Sequence, residues 1–182
     1  MTDATLARAD LRRDQMVIGM VGSAHFLSHF FQLALPPLFP LLRLEFGVDY
    51  ATLGFLMTLF YATSGVCQAF AGIFVDRWGA KRVLVFGMSL MAGSIALAGF
   101  APAYWVLMPL AIAAGIGNSV FHPADLSILS LKVSQRRLGR AYGIHAFMGT
   151  LGYASAAASI AFLAEAFGWR TAALVAGLGG LA

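Results

Sequence analysis

Two protonatable side chains lie within one of the most apolar parts of this sequence. In the stretch GNSVFHPADLS, residues 117–127, His122 and Asp125 are three positions apart in a run that otherwise suits a membrane interior. A charged group at that depth costs a few kcal/mol or more, which indicates a functional reason for keeping it. Burial disfavours the charged form of either group and a neighbouring opposite charge favours it, so the pair can titrate near neutral pH. We expect His122 and Asp125 to couple the function to protons.

Pro123 lies between these two residues and predicts a kink in the helix that carries them. Proline has no amide hydrogen, so the carbonyl of Ser119, four residues earlier, loses its helical partner. A kinked helix that carries a proton site is well suited to be a moving part of the protein.

Other polar residues in the apolar runs recur at steps of three and four, which places them on one face of each helix. If these faces meet, they line one cavity. The candidates for its substrate-binding wall are His25, His29, Gln32, Tyr61, Asn118 and His145.

The residues alone leave alternative roles open for two of these side chains. Asp125 can instead bind Arg136 or Arg137 and lock the cytoplasmic end of its helix. His145 is expected near the membrane surface. At that position, a structural role at the interface agrees with the sequence at least as well as a functional role does.

Metal binding is a third possibility for the histidines. His25 and His29 are four residues apart and could ligate a metal together with His122. Because no cysteine or second carboxylate lies in range, we predict neither a metal site nor another cofactor. No nucleophile–base pair or zinc-protease helix motif is present either, so an enzyme is not expected.

Composition indicates an integral membrane protein. Hydrophobic residues make up 60% of the chain and charged residues only 11%, whereas a soluble domain carries about a quarter charged residues. The net charge of +4 does not indicate a nucleic-acid partner, because the charges lie in short clusters between long apolar runs. The expected surroundings are a lipid bilayer.

The apolar runs predict an all-α bundle of six membrane helices, since a helix crosses a bilayer with about 17–25 residues. The sixth run begins at Thr171 and its twelve residues reach only about 18 Å. We therefore expect residues 1–16 to form a cytoplasmic tail, residues 17–182 a bundle with a truncated sixth helix, and a missing C-terminal half. The five complete spans are predicted at Val17–Leu42, Ala51–Ala71, Val83–Phe100, Tyr104–Leu131 and Tyr142–Ala164.

Basic residues predict the orientation of the bundle, because cytoplasmic loops carry an excess of Lys and Arg. Ten of the twelve fall in the N-terminal segment and in the loops after the second and fourth spans. Only Arg43 and Arg170 fall on the other side. The N-terminus is predicted to be cytoplasmic, in a multi-pass protein of an inner membrane.

Two short segments repeat one pattern of residue types. DRWGAKRVL follows the second span and EAFGWRTAA follows the fifth, with acid, aromatic, glycine and base at matching positions. The charge count places the two segments on opposite sides of the membrane. Two inverted three-helix repeats, as found in transporters, would explain this arrangement.

The stretch GIFVDRWGAKR resembles the loop between the second and third helices of the major facilitator superfamily, G-x-x-x-D-R-x-G-x-[RK]-[RK]. The resemblance implies that the chain is the N-terminal half of a twelve-helix transporter and that this loop controls gating. The matching residues are Gly72, Asp76, Arg77, Gly79, Lys81 and Arg82.

A narrower resemblance comes from the fourth span, where G-x-G-x-S-x-F-H-P is similar to the fosmidomycin-resistance branch of drug exporters. It implies a secondary transporter that works by alternating access and extrudes a small organic molecule as a proton antiporter. Two alternatives remain: proton-coupled uptake of a metabolite, and a six-helix scaffold that transports nothing.

Overall fold

The computed structural model describes residues 3–181 of the chain, and side chains from residue 10 onward. This part is all-helical, without strands, which confirms the predicted fold class. Its elements are α1 (Asp3–Gln32), a 3₁₀ helix (Pro36–Leu38), α2 (Phe39–Phe46), α3 (Tyr50–Trp78), α4 (Ala80–Ala98), α5 (Tyr104–Asn118), α6 (Phe121–Lys132), α7 (Gln135–Phe167) and α8 (Trp169–Gly179).

Five segments of the described chain are long and apolar enough to cross a membrane. The shorter α8 stands where the truncated sixth helix was predicted. The five segments are Asp10–Phe46, Tyr50–Trp78, Ala80–Ala98, Tyr104–Lys132 and Gln135–Phe167.

The first span differs from its prediction at both ends. α1 begins at Asp3, so the described part of the expected tail, residues 3–16, continues the membrane helix; residues 1 and 2 lie outside the description. The helix is also interrupted within the predicted span, because α1 ends at Gln32. Pro36 and Pro37 cannot donate helical hydrogen bonds, and the chain resumes as a 3₁₀ turn before α2.

The fourth span is broken where its proline predicts. α5 ends at Asn118 and α6 begins at Phe121, so Ser119 and Val120 separate two helical pieces. The hydroxyl of Ser119 donates to the carbonyl of Ile116 at 2.7 Å, which satisfies one of the last carbonyls of α5.

Single glycines join two of the helix pairs. Gly79 connects α3 to α4 with φ 83° and ψ 139°, and Gly168 connects α7 to α8 with φ 83° and ψ 157°. A positive φ is accessible to glycine at little cost. Each glycine amide also donates to the carbonyl four residues earlier, on Val75 at 2.9 Å and on Ala164 at 3.0 Å. The two segments that share a sequence pattern therefore share a backbone geometry.

Helix contacts bring the predicted polar faces together on one side of the bundle. α1 packs along α7 and also against α6, while α4 packs against α5 and α8. Small residues allow the close approaches: a Cβ on Gly117 would lie 2.6 Å from the carbonyl oxygen of Gly87 across the α4–α5 contact. The meeting of α1, α6 and α7 places the histidine-bearing faces next to Asp125.

Candidate functional site

Asp125 is the centre of a polar cluster buried between three helices. Its side chain, on α6, has no exposed surface. Its Oδ2 lies 3.1 Å from Nδ1 of His25 on α1 and 3.2 Å from Nε2 of His145 on α7. One carboxylate oxygen thus joins α6 to the consecutive helix α7 and to the distant helix α1.

The histidine rings form a stacked and tilted group around this carboxylate. His25 and His145 stack with ring centroids 3.5 Å apart and planes inclined by 23°. His29 lies 4.3 Å from His25 by ring centroids, and His122 lies 5.2 Å from it. Together with Asp125, these four side chains form what we call the histidine–aspartate cluster.

Glycines on α7 make room for the rings on α1. A Cβ at Gly149, one turn beyond His145, would lie 2.8 Å from Nε2 of His25 and 2.9 Å from Cε1 of His29. At Gly152 a Cβ would meet the backbone carbonyl of Phe26. The two glycines therefore let α1 and α7 approach closely enough for histidines from both helices to reach one carboxylate.

The charge on Asp125 depends on its histidine partners. In the part of the chain that the structure describes, no lysine or arginine forms an ion pair with Asp125. There, its Oδ1 and the Nδ1 of His29 are also buried without a hydrogen-bond partner. A buried charge needs a compensating one, and the nearest that can provide it are imidazoles that have bound a proton. Among the described residues, histidines are therefore the groups that can balance a charge on Asp125.

Asp125 was predicted to pair with His122 on its own helix, but its hydrogen-bond partners are His25 and His145. His145, for which a structural role was left open beside a functional one, lies inside the cluster, stacked on His25. His122 is the exposed member of the group. Separation in sequence cannot show which residues of other helices face a carboxylate, so the nearer candidate was favoured.

The structure contradicts the alternative in which Asp125 binds Arg136 or Arg137, because the partners of Asp125 are His25 and His145. Arg137 instead donates through Nε to Oδ2 of Asp14 at 2.9 Å. The backbone amide of Ser134 donates to the same oxygen at 3.1 Å, and Arg13 lies 3.5 Å from Oδ1. Asp14 is fully buried on α1, and its carboxylate lies next to the first residues of α7. The dipole of α7 favours a negative charge at that end of the helix.

Asp14 is a residue that sequence reasoning missed. It stands in a segment with Arg12 and Arg13 on one side and an apolar run on the other, which made it look like part of a solvated tail. The sequence did contain a signal for its role. Asp14 stands at the very start of a membrane span, on the same predicted side of the membrane as the basic loop that contains Arg137.

Comparison with known proteins agrees with the architecture. The family model of the Major Facilitator Superfamily matches residues 21–182. The chain belongs to this superfamily.

Characterised members of the superfamily resemble the chain at moderate identity. The probable sulfoacetate transporter SauU of Cupriavidus necator is 25% identical over 92% of this chain and 39% of its own length. The fosmidomycin resistance protein of Escherichia coli K12 is 26% identical over 75% of this chain and 33% of its own length. The chain thus spans about two fifths or less of these relatives.

A solved structure of the superfamily has the same fold. It is a bacterial homologue of the human lysosomal transporter Spinster, in an inward-facing and unoccupied conformation. The superposition of the two structures has a TM-score of 0.73 at 18% sequence identity. It covers 93% of this chain and 41% of the other chain. Together with the family match, these similarities show that the chain is a multi-pass membrane protein of a transporter superfamily rather than an enzyme.

The signature loop of the superfamily lies at the turn between α3 and α4. The side chains of Asp76, Arg77, Lys81 and Arg82 are exposed there, and Gly72 lies on the exposed side of α3. Asp76, Lys81 and Arg82 border a groove of about 860 Å³ that also reaches α1 and α6. A gating role for this superfamily loop stays a prediction.

Three predicted cavity residues lie apart from the cluster. Nδ2 of Asn118 donates to Ser64 Oγ at 2.8 Å and so joins α5 to α3. Tyr61 is about half exposed on α3, and Gln32 ends α1 with its Oε1 buried and unpaired within the described chain. Tyr153, which the sequence analysis did not select, instead packs on His29, with ring centroids 4.4 Å apart and planes inclined by 46°.

Proposed function

We propose that this chain is the N-terminal bundle of a secondary transporter that moves a small organic molecule by alternating access and couples this movement to protons. The observation that carries the proposal is the fully buried Asp125, held only by histidines of α1 and α7 among the described residues. Superfamily membership supports transport, with a second half that completes the pathway.

The break in the fourth span supports a conformational role for the cluster. His122 and Asp125 lie on α6, just beyond the break at Ser119 and Val120. A change in the proton occupancy of His25 or His145 alters their attraction to Asp125 and thereby the contacts of α6 with α1 and α7. One proton that crosses 100 mV supplies about 2.3 kcal/mol, which is enough to drive a modest substrate gradient.

Efflux is the direction we propose. It rests on the resemblance of the fourth span to the fosmidomycin-resistance branch and on the relationship to the fosmidomycin resistance protein. Uptake of a small metabolite is the second candidate, favoured by relatives described as probable transporters of sulfoacetate and L-galactonate. Counterflow in inside-out and right-side-out vesicles distinguishes the two directions. The distribution of basic residues supports an inner membrane with a cytoplasmic N-terminus.

The test of proton coupling is Asp125→Asn in the full-length protein, reconstituted into proteoliposomes with an imposed pH gradient. Asparagine keeps the shape of the side chain but carries no charge, so we expect gradient-driven transport to fall to background at normal expression. Asp10→Asn is the matched control, since Asp10 is exposed and its ion pair with Arg13, at 3.6 Å, is exposed as well. If Asp125→Asn lowers expression while each remaining molecule keeps coupled transport, Asp125 is a structural residue and the proposal fails.

A further inference from the structure

The histidine–aspartate cluster also has the donor geometry of a transition-metal site. One ring nitrogen from each of His25, His122 and His145 lies within 4.8 Å of the others. A tetrahedral Zn²⁺ with Zn–N bonds of about 2.0–2.1 Å holds its ligand atoms about 3.4 Å apart. Small rotations of the three rings would bring them to that separation.

Asp125 orients two of these rings as carboxylates do in metal sites. His25 turns Nδ1 toward Asp125 and His145 turns Nε2 toward it. A neutral imidazole that donates one N–H presents a lone pair on its other nitrogen. Metal-ligating histidines commonly have such a carboxylate partner on the nitrogen that does not bind the metal.

The set is open on one side. Nε2 of His25, the nitrogen that does not face Asp125, lies close to the α7 backbone at Gly149, where a Cβ would be only 2.8 Å away from it. His122 is exposed, so an ion can reach the set from the side of the cluster that is open. Asp125 is completely buried, and among the described residues its Oδ1 has no donor, so it keeps an acceptor available for a cation.

We propose that His25, His122 and His145 bind one Zn²⁺ or a related divalent transition-metal ion, with Asp125 as their carboxylate partner. Imidazole suits zinc, copper and nickel. The sequence analysis considered His25, His29 and His122 as ligands and predicted no metal, because no cysteine or second carboxylate lies in range. In the fold, His145 from α7 takes the place of His29 in the set of three nitrogens.

A bound ion would tie α1, α6 and α7 together. This consequence rests on the proposed function, because it matters only if α6 moves during transport. Zn²⁺ is then an inhibitor of transport.

The test is Zn²⁺ binding to the full-length protein in detergent, purified with a histidine-free tag and titrated by calorimetry at neutral pH. We expect one Zn²⁺ per molecule, and an affinity at least about tenfold lower in His122→Asn, His145→Asn and Asp125→Asn. His29→Asn is the control, since His29 belongs to the cluster but not to the three-nitrogen set. His122→Cys replaces one zinc ligand by another and should retain binding.

Two results overturn the proposal. One is the absence of Zn²⁺ binding by the unaltered protein, and the other is a Zn²⁺ affinity of His122→Asn and His145→Asn that equals the affinity of the unaltered protein. Size-exclusion profiles of each variant, together with retained binding in His122→Cys, distinguish a lost ligand from a lost fold. Binding is measured without transport, so failure of proton coupling alone leaves the metal site standing. Failure of metal binding alone likewise leaves the proposed transport function standing.

Discussion

Asp14 and Asp125 are both fully buried carboxylates, but their partners belong to different chemical classes. Asp14 is held by Arg137, by the nearby Arg13 and by a backbone amide at the start of α7. Asp125 is held by two histidines. Arginine stays protonated at any physiological pH, whereas a histidine gains or loses its proton near neutrality.

The contact of Asp14 with arginine is permanent, whereas the contact of Asp125 with histidines is conditional on their protonation. The pairing of Asp14 does not depend on pH in the physiological range, so it fixes α1 to the start of α7. The pairing of Asp125 is with histidines, and in the function we propose it strengthens and weakens as they gain and lose a proton. Under that proposal the kind of partner distinguishes a coupling carboxylate from a structural one, and burial alone does not.

The largest effect on stability is expected from Asp14→Asn. It leaves the guanidinium of Arg137 without its anion and removes the charge at the start of α7, so the melting temperature in detergent should fall by several degrees. The number of protons moved per substrate should stay unchanged in the molecules that fold. A changed proton-to-substrate ratio at an unchanged melting temperature would reverse the roles assigned to the two carboxylates.

Gly149→Ala tests whether the conditional contact needs the observed approach of α1 and α7. The added Cβ would lie 2.8 Å from Nε2 of His25, closer than side-chain carbons are found in proteins, so the ring must leave the position in which its Nδ1 contacts Asp125. We expect transport to fall severalfold. Gly143→Ala lies on the same helix with nothing within 4 Å of the new Cβ, and it should behave as the unaltered protein does.

Asp76→Asn examines an exposed carboxylate in the signature loop. We expect it to lower the transport rate while the amount of protein inserted in the membrane stays the same. Comparison of uptake rates per inserted molecule, with quantitative blotting, measures this. An unchanged rate removes the gating role from Asp76.

The smallest effect concerns Asp49, a third kind of carboxylate that lies between membrane segments. Its Oδ1 accepts from the amide of Thr52 at 2.7 Å and caps α3. Hydrogen bonds from the Thr52 side chain and amide lower the pKa of Asp49 below 3.8. The stabilisation is therefore complete above that pH and is lost as the pH falls through the lower pKa of the folded state.

Melting curves of Asp49→Ala and Asp49→Asn at neutral and acidic pH check this assignment. Asparagine caps helices nearly as well as aspartate, so only alanine should lower the melting temperature at neutral pH. Acidification should reduce the difference between the unaltered protein and Asp49→Ala. A difference that grows in acid contradicts the capping role.

The fold was predictable because its signals are local. Length, hydropathy and Pro123 indicated the spans and the break in the fourth of them, and the shared pattern around Gly79 and Gly168 anticipated two turns of one geometry. The interruption after Gln32 was missed although Pro36 and Pro37 announce it. The long apolar run outweighed the prolines in that interpretation.

The site was predictable in its membership and not in its pairing. The sequence selected all four histidines and Asp125, because protonatable residues are rare in membrane spans. Which of them touch is decided by the rotation of α1 and α7 about their axes, which Gly149 and Gly152 permit. The alternative that paired Asp125 with Arg136 or Arg137 was left open for the same reason, and Arg137 binds Asp14 instead.

The two single-glycine turns also determine where the chain tolerates changes in length. Surface loops usually accept inserted residues, but Gly79 and Gly168 are the whole connection between their helices, and each has a φ of 83°. A longer connection lies at residues 99–103, between α4 and α5, where Pro102 is exposed. An epitope or fluorescent reporter inserted at Pro102 should leave the bundle intact, whereas the same insertion at Gly79 or Gly168 should separate a packed helix pair.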